Sequence, residues 1–414
     1  MKKIALLIPD FQIGGMPVVA SRLIEFLMKK YEVTLILIRN DCEIKYDTFD
    51  VRVLRVSANG DNFYQKFYLF FKRMIVLSRI FHNEKFALVI SFGALANIFN
   101  SLLIRRRSII TEHNIKTIEN RQWGARGMIY SLLIKVTYPL SGRIVAVSSG
   151  VKKDLEENFG LHNVITIYNP VDLSILHKQR ESLSNSVNEI FEKHAVILYV
   201  GRITDTKQPL ELLKIFSQVS EKVDNAVLAY AGTGDLLDKL EVAVKGSPVQ
   251  NKVFILGYQK NILQLMKMAL VTVLVSTNEG LPNVLIESIS QGTPVIANDI
   301  LAGPREILSN GYITSYSRTL KYPLKLINGY LTRPVLDNNK ISVGENTQAE
   351  SELIELLISI CRDNCFKQKF NLDISSFGKS KTFEKYDSLI HDIVLAQRDS
   401  GDSIMKKSKN RNNS

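Results

Sequence analysis

Residues 271–287 read VTVLVSTNEGLPNVLIE and carry the local signals that decide the fold. The apolar run from Val271 to Ser276 predicts a buried strand, and a glycine and a proline punctuate the turn that follows it. Pro282 suits the first position of a helix, and the pattern after it predicts a helix that continues to Gln291. A buried strand, a tight turn and a helix in this order are typical of a parallel α/β sheet.

The same alternation extends on both sides of this stretch. Strands are expected at 195–200, 226–231, 252–256 and 294–298, and a helix is expected at 209–219. This order predicts a doubly wound sheet, in which ligands bind at the carboxyl ends of the strands.

The N-terminal part of the chain repeats this organisation. A strand at 3–9, the Gly14-Gly15 turn, a helix at 18–29 and a strand at 32–38 open a second parallel sheet. Its further strands are expected at 51–56, 87–91, 108–111 and 143–148. We therefore predict the α/β class, with two Rossmann-like doubly wound domains in tandem.

Composition marks the domain boundaries. Tyr168-Asn169-Pro170-Val171-Asp172 breaks the pattern, and the polar stretch 174–194 is expected to be the interdomain connection. The predicted segments are an N-terminal domain at 1–172, a C-terminal domain at 173–382, a helix at 383–400 that packs back on the N-terminal domain, and a disordered basic tail at 401–414.

One region departs from the regular alternation. Residues 311–345 are irregular, and Asn310-Gly311-Tyr312-Ile313-Thr314 is echoed by Asn328-Gly329-Tyr330-Leu331-Thr332. The repeat is either a local duplication or two similar turns, and we expect turns.

The charge of the chain is concentrated in one segment. The 414 residues are 45% hydrophobic and carry a formal net charge of +12. Residues 51–150 hold fifteen basic and four acidic side chains, which is +11. Such a local excess implies an anionic partner. No nucleic-acid-binding module accompanies it, so nucleic acid is not expected.

Two stretches favour a membrane surface as that partner. Aromatic and aliphatic residues alternate with Lys and Arg in 65–81, and Leu102-Leu103-Ile104 precedes Arg105-Arg106-Arg107. This composition fits a helix at an anionic membrane interface. The alternative is a core-packed amphipathic helix with a solvated basic edge.

Other features bear on location. The apolar run at 4–8 is too short for a signal peptide, and no apolar run is long enough to span a membrane. Three cysteines do not suggest a disulfide framework. We expect a cytoplasmic protein, peripherally associated with the inner face of the cytoplasmic membrane.

The candidate chemistry surrounds the helix predicted to begin at Pro282. Free N–H groups of Asn283, Val284 and Leu285 at a helix N-terminus would bind phosphate. Glu279 and Glu287 flank that site, and carboxylates accept hydrogen bonds from sugar hydroxyls. The alternatives are a helix-dipole charge for Glu279 and a surface residue for Glu287.

Two cations form a second feature. Arg202 follows Gly201 at a strand end, and Lys207 lies five residues further on, before a helix. Both could hold a diphosphate, Arg as a bidentate fork and Lys as a point charge. The alternative is a pair of solvated loop cations.

Together these segments carry a resemblance to a known family. The chain resembles the family-4 retaining glycosyltransferases with the GT-B fold, of the type that builds bacterial polysaccharides, over roughly residues 1–310. The nucleotide-sugar half is matched by Gly201-Arg202 with Lys207, Ala231-Gly232-Thr233-Gly234, Gly257, and Glu279-Gly280-Leu281-Pro282 with Glu287. The domain junction is matched by Val147-Ser148-Ser149-Gly150-Val151 and Tyr168-Asn169-Pro170-Val171-Asp172.

The resemblance implies a role for each matched residue. The catalytic residues would be Glu279 and His113, both of which would contact the donor sugar. The donor diphosphate would be held by Arg202, Lys207, Gly15, Asn283 and Val284. The donor sugar and ribose would be held by Glu279, Glu287, Gly280 and Leu281. Gly14 and Glu112 would line the acceptor side, or Glu112 would orient the His113 imidazole.

The resemblance also implies the architecture and the reaction. The two domains would face each other across a cleft, with the acceptor bound by the first and the nucleotide sugar by the second. A sugar would pass, with retained anomeric configuration, from a nucleotide diphosphate sugar to a lipid-diphosphate-linked glycan in O-antigen or capsule synthesis. It favours a UDP-sugar over a GDP-sugar as co-substrate, with no other cofactor.

Two further observations bear on this reaction. The sequence lacks an Asp-x-Asp motif, so we expect no metal, because cations and helix N–H groups can stabilise the leaving diphosphate. A sugar-nucleotide epimerase of the same fold and a catalytically silent membrane-docking subunit are the alternatives. An NAD-dependent oxidoreductase is weakly supported, because Gly14-Gly15 is not a full G-x-G-x-x-G string.

Overall fold

A computed structural model describes residues 1–11, 15–39, 51–57, 63–171, 183–314, 320–335 and 346–394. It divides into two compact units. The first unit comprises Met1–Pro170 and Ser380–Ser414, and the second comprises Val171–Lys379. Gly14, the segment 401–414 and parts of 311–345 lie outside the described residues.

The first unit is built on a seven-stranded parallel sheet with strand order β3-β2-β1-β4-β5-β6-β7. The strands are β1 (Lys3–Ile8), β2 (Glu32–Arg39), β3 (Arg52–Ser57), β4 (Leu88–Phe92), β5 (Ser108–Glu112), β6 (Arg143–Ala146) and β7 (Val164–Thr166). The helices are α1 (Gly15–Leu27), α2 (Phe63–Glu84), α3 (Ala94–Leu103), α4 (Lys116–Gln122), α5 (Gly124–Thr137) and α6 (Ser149–Phe159).

Both faces of this sheet are covered, which explains the uninterrupted apolar composition of its central strands. Along β1, Ile4, Leu6 and Ile8 pack in one core and Ala5 and Leu7 in another, because successive side chains point to opposite faces.

The second unit repeats this plan. Its sheet has the order β10-β9-β8-β11-β12-β14-β13 and is parallel except for the β13–β14 pair. The strands are β8 (Ala195–Val200), β9 (Ala226–Ala231), β10 (Val253–Gly257), β11 (Val271–Leu274), β12 (Val295–Asn298), β13 (Leu324–Leu326) and β14 (Gly329–Thr332). The helices are α7 (Asn185–Lys193), α8 (Pro209–Lys222), α9 (Leu237–Lys245), α10 (Ile262–Met268), α11 (Asn283–Ser290), α12 (Pro304–Leu308) and α13 (Gln348–Cys361).

The last described helix, α14 (379–394), brings residues 380–394 into the first unit. Its buried side chains join the core that contains Ile4, Leu6 and Ile8. They are Tyr386, Leu389, Ile390, Ile393 and Val394.

The predicted pair of Rossmann-like doubly wound domains is confirmed. One local expectation was wrong, and two features were not expected. The second copy of the echo is not a turn, because Gly329–Thr332 forms β14 beside β12. The short strand β7 was not expected. Part of the polar connection is helical: α7 spans Asn185–Lys193, buries Phe191 and contacts β8.

In the described part of the chain, no helix is both long and apolar enough to cross a bilayer.

Candidate functional site

The second unit's sheet has its topological switch point between β8 and β11. β8 pairs with β9 on one side and with β11 on the other. Arg202 and Lys207 follow β8, and Glu279 follows β11. Loops that diverge at the carboxyl ends of two such strands form the usual ligand crevice of a doubly wound sheet. The topology therefore brings the predicted cations and the first carboxylate to one place.

Glycines allow the loops after β8 and β9 to pack directly against each other. A Cβ on Gly232 would lie 1.8 Å from the carbonyl oxygen of Gly201, and one on Gly234 would lie 2.4 Å from that of Ile203. The backbone N–H of Ile203 donates to Thr233 at 2.9 Å, which ties the two loops together. The Gly232-x-Gly234 pair thus has a packing role that fixes the loop bearing Arg202.

Lys207 and Glu279 form an ion pair across the switch point. Lys207 ends a 3₁₀ turn, Asp205–Lys207, and both side chains are largely buried. The backbone N–H of Thr277 donates to the carbonyl of Thr206 at 2.9 Å and so holds the two loops in register. A diphosphate entering this site would compete with the Glu279 carboxylate for the Lys207 ammonium.

Arg202 lies at the exposed rim of the same site. Its backbone carbonyl accepts a 2.7 Å hydrogen bond from the Tyr199 hydroxyl. Burial, and then the nearby Glu279 charge, raise the pKa of Tyr199 well above its ordinary value, so this hydroxyl stays protonated as a donor. Among the described residues, the Arg202 guanidinium has no ion-pair partner, which leaves its fork available for an anion.

Four buried polar atoms without partners belong to residues next to the ion pair in sequence. Neither side-chain amide atom of Gln208 has a hydrogen-bond partner in the described structure, nor do Ser276 Oγ and Asn278 Oδ1. Gln208 directly follows Lys207, and Ser276 and Asn278 closely precede Glu279. Buried polar groups in native proteins are almost always satisfied. These four atoms therefore indicate that a polar ligand or ordered water completes the site.

Gln208 was not predicted as a site residue, because no motif marks it in the sequence. It caps α8 with a left-handed backbone, φ 50°, and its side chain is 4% exposed. Only the fold turns this residue inward beside Lys207.

The start of α11 differs from the prediction in two respects. Pro282 is the N-cap residue, and the helix begins at Asn283. The N–H of Leu285 is not free, because it donates to the Pro282 carbonyl at 3.0 Å. Asn283, Val284 and Glu287 are half-buried on the first turns of this helix.

Gly280 does not supply the unusual backbone conformation that its place in the turn suggested. The positive φ belongs to Gly303, at 91°, in the loop before α12. A Cβ on Gly303 would lie 2.4 Å from Pro282 Cδ and 3.1 Å from the Gly280 carbonyl oxygen. Gly303 therefore lets the loop that contains Gly280, Leu281 and Pro282 pack closely on its neighbour. Leu281 is buried at this contact.

In the first unit, His113 follows β5 and is half-buried. Its ring stacks on Phe92, with centroids 5.6 Å apart. The Thr111 hydroxyl donates to the Ser91 carbonyl at 2.8 Å and lies 3.1 Å from His113 Nε2. Because a hydroxyl has one proton, Nε2 carries the hydrogen in this contact and Nδ1 is the acceptor nitrogen.

The environment keeps this imidazole neutral. Burial and the nearby Lys116 ammonium lower the pKa of His113 to about 3. At neutral pH the ring can accept a hydrogen bond from a sugar hydroxyl but cannot act as an acid.

Glu112 does not take the predicted position. Its carboxylate is fully buried and is bound by the Tyr138 hydroxyl, by Asn97 Nδ2 at 2.9 Å and by Lys116 Nζ at 2.9 Å. Burial and the Glu112 charge raise the pKa of the Tyr138 hydroxyl, which therefore stays protonated. Glu112 faces the core, so the expectation that it lines an acceptor site or orients the imidazole does not fit this geometry.

The remaining residue predicted near phosphate is Gly15, the first residue of α1. A Cβ there would meet open space, so packing does not require glycine. Among the described residues, no three acidic, His or Cys side chains cluster as metal ligands would.

Two family models match the chain. The model of Glycosyltransferase Family 4 matches residues 13–175, and that of Glycosyl transferases group 1 matches residues 180–323. The two matches cover most of both units.

Curated relatives are glycosyltransferases. An uncharacterized glycosyltransferase of Methanocaldococcus jannaschii is 31% identical over 273 residues, 64% of this chain and 66% of the relative. The N-acetylgalactosamine-N,N'-diacetylbacillosaminyl-diphospho-undecaprenol 4-alpha-N-acetylgalactosaminyltransferase of Campylobacter jejuni is 24% identical over 316 residues, 75% of this chain and 84% of the relative.

Solved structures share the fold. The Anabaena protein Alr3699/HepE in complex with UDP aligns with a TM-score of 0.63 at 18% identity, over 97% of this chain and all of that one. A mutant of Staphylococcus aureus TarM, in complex with Fondaparinux, alpha-GlcNAc-glycerol and UDP, aligns with a TM-score of 0.68 at 13% identity, over 94% of this chain and all of that one.

Proposed function

Since the chain belongs to the family-4 glycosyltransferases of the GT-B fold, we propose that it transfers a sugar, with retained configuration, from a nucleotide diphosphate sugar to a lipid-linked glycan. The observation that carries this proposal is the Lys207–Glu279 pair at the switch point of the second unit. The pair supports the proposal because an ammonium binds a diphosphate and a carboxylate accepts hydrogen bonds from sugar hydroxyls.

Departure of the diphosphate is the step that this site would assist. Lys207 and the exposed guanidinium of Arg202 supply positive charge, and the Val284 N–H in the first turn of α11 supplies a donor. Glu279, released from Lys207 by the incoming phosphate, would accept hydrogen bonds from the sugar. We propose that no metal is needed, because these groups can stabilise the leaving charge themselves.

His113 would act as a neutral hydrogen-bond acceptor toward a hydroxyl of the donor sugar. Its lowered pKa excludes a role as proton donor near neutral pH. The acceptor hydroxyl would attack the face from which the diphosphate leaves, and the leaving phosphate would take the proton. No residue of the chain needs to become covalently attached to the sugar in this scheme.

We propose UDP as the nucleotide carrier. Support comes from the Anabaena protein of the same fold, which was solved with UDP and with UDP-glucose. Names of two Campylobacter relatives include a diphospho-undecaprenol or PP-undecaprenol acceptor, which supports a lipid-diphosphate-linked glycan. Relatives named for amylovoran and lipopolysaccharide synthesis support a place in O-antigen or capsule assembly.

A lipid-linked acceptor requires the enzyme to work at a membrane surface, and α2 supports this. Leu77 and Phe81 anchor the helix in the core. Phe67, Tyr68, Phe71 and Ile75 are 47–64% exposed. Packing against the core explains one face of α2, but it does not explain why a second face exposes apolar side chains. We propose that the exposed apolar face of α2 contacts the anionic inner face of the cytoplasmic membrane. The three exposed arginines, Arg105–Arg107, would contact it as well.

Thermal unfolding with a panel of nucleotides tests the donor site. UDP at 100 times its dissociation constant should add ~2.7 kcal/mol of stability, in EDTA as well as in magnesium.

Arg202→Ala should weaken UDP binding by ~1.5–3 kcal/mol, the range for hydrogen bonds to charged groups. Arg362→Ala, at another arginine of the second unit, should leave UDP binding unchanged.

Transfer is tested with Glu279→Ala, which should abolish turnover while UDP still stabilises the fold. Unchanged turnover would overturn the role of Glu279. Stabilisation by no nucleotide would favour the silent docking subunit, and consumption of the nucleotide sugar without an acceptor would favour an epimerase.

A further inference from the structure

Helix α5 exposes a continuous apolar stripe that the proposed chemistry does not use. Met128, Ile129, Leu132 and Val136 are between 55% and 75% exposed. The spacing of four between 128, 132 and 136 places these side chains on one face of the helix. Contiguous exposed apolar patches of this kind mark interaction surfaces in soluble proteins.

The opposite face of α5 is firmly packed. Gly127, Ile134 and Thr137 are buried, and a Cβ on Gly127 would lie 1.7 Å from the Asn120 carbonyl oxygen. This close approach fixes α5 against α4. The apolar stripe therefore belongs to a well-anchored helix.

Helix α5 itself carries charge of one sign. Its sequence holds Arg126 and Lys135 and no acidic residue, whereas Glu119 of α4 is paired with Lys116 and Asp154 of α6 accepts from the start of α4. Among the described residues, neither Arg121 nor Lys135 has an ion-pair partner. An apolar stripe edged by unpaired cations complements a bilayer with anionic headgroups.

The N-terminal half of the helix carries residues that favour such an interface. Trp123, the single tryptophan of the chain, directly precedes α5 and is 38% exposed. The Arg126 guanidinium lies 5.4 Å from the Trp123 ring centroid and 5.6 Å from that of Tyr130. Tryptophan, tyrosine and arginine are the side chains that settle at the headgroup level.

A groove of about 610 Å³ runs beside the stripe. Arg121 and Lys135 line it together with Asn120, Ser131 and Asn158. Asn120 is 5% exposed, and its Oδ1 has no partner in the described structure. The groove therefore presents two cationic side chains to a lipid headgroup next to an apolar surface.

We propose that α5 is a membrane-inserting helix, with its stripe among the acyl chains and Arg121 and Lys135 on anionic headgroups. The proposal deepens the membrane contact of the proposed function and rests on it. A second copy of the chain fits this surface less well, because two such basic faces would repel each other. Because α3 packs against both α2 and α5, the two exposed apolar faces belong to one helical layer.

The position of Trp123 provides a direct readout of insertion. In wild-type protein, phosphatidylcholine vesicles that contain phosphatidylglycerol should shift the Trp123 emission to the blue. Pure phosphatidylcholine vesicles should do so much less.

In the double variant Ile129→Glu and Leu132→Glu, co-sedimentation with the anionic vesicles should weaken at least about tenfold, since two apolar side chains no longer enter the bilayer.

Val242→Glu is the matched control. Val242 is an apolar residue on a helix of the second unit and is 71% exposed, and its substitution should leave vesicle binding unchanged. Equal binding by wild type and the double variant, or no blue shift in wild type, would overturn the proposal.

A transfer assay with detergent-solubilised lipid-linked acceptor separates this proposal from the proposed function. The double variant should keep transfer in detergent, because neither residue belongs to the site. Absence of transfer in wild type would reject the proposed function, and the vesicle result would still decide the role of α5.

Discussion

At the scale of single residues, neighbouring side chains set the charge state of the predicted site residues. Lys207 is neutralised by Glu279 in the second unit, and His113 is kept neutral in the first. Sequence spacing was sufficient to place Lys207 and Glu279 near each other, because both follow strands of one parallel sheet. It could not place Gln208 or the Glu112 carboxylate, since the direction of these side chains depends on packing by residues that are distant in sequence.

His113 makes the stability of the first unit depend on pH. An unfolded chain binds a proton at His113 as the pH falls through 6.5, the ordinary value of the pKa, whereas the folded ring does so only near 3. Acid therefore favours the unfolded state in this window, and folding should lose ~2 kcal/mol between pH 7 and pH 5 through this residue.

Urea unfolding followed by Trp123 fluorescence at the two pH values measures this effect in the first unit. His113→Asn should remove ~2 kcal/mol of the pH dependence, and His162→Asn, at an exposed histidine, provides the control. The same pH dependence in wild type and His113→Asn would contradict the assignment.

At the scale of elements, close backbone approaches set the shape of the donor site. Gly232 and Gly234 let the loop after β9 pack closely on the loop after β8. Gly303 lets the loop before α12 pack closely on the loop that carries Glu279. The strands around these loops were predictable, because the buried strands of a parallel sheet are apolar runs. β7 escaped prediction because it has only three residues. β14 escaped because it lies in an irregular segment and its pairing with β12 joins residues distant in sequence.

Gly303→Ala tests the loop packing. The added methyl group would lie 2.4 Å from Pro282 Cδ, so the 279–282 loop must shift. We expect ~1–3 kcal/mol of destabilisation from overpacking and weaker UDP binding by calorimetry. Gly311→Ala is the control, because Gly311 has a similar φ of 85° but its added Cβ would approach nothing closer than 3.5 Å. Equal UDP affinity in both variants would reject a role for Gly303 in donor binding.

At the scale of the whole molecule, the first unit is built from two separated parts of the chain. Its core takes Tyr386, Leu389 and Ile390 from α14, beyond the second unit in sequence. The apolar pattern of 383–397 predicted a helix there. Its packing partners, such as Phe26 of α1, whose ring stacks on Phe383 at 4.5 Å between centroids, could not be read from local sequence.

Ile390→Ala should therefore weaken the first unit rather than the second. Ile390 is fully buried, and truncation of such a side chain costs ~2–5 kcal/mol. Trp123 fluorescence in urea should show an earlier transition, while UDP should still stabilise the second unit. Val242→Ala, at an exposed position, should leave the Trp123 transition unchanged, and an unshifted transition in Ile390→Ala would show that α14 is dispensable for this core.

The placement of α14 has a consequence for synthesis on the ribosome. Domains usually fold in order of emergence, the N-terminal one first. Here the second unit, which occupies the continuous stretch Val171–Lys379, can complete its sheet while the first still lacks a helix. The earlier half of the nascent chain must wait, with part of its sheet uncovered, until residues 380–394 leave the exit tunnel. The apolar surface that α14 later covers would therefore stay accessible to chaperones longest in the half of the chain that is translated first.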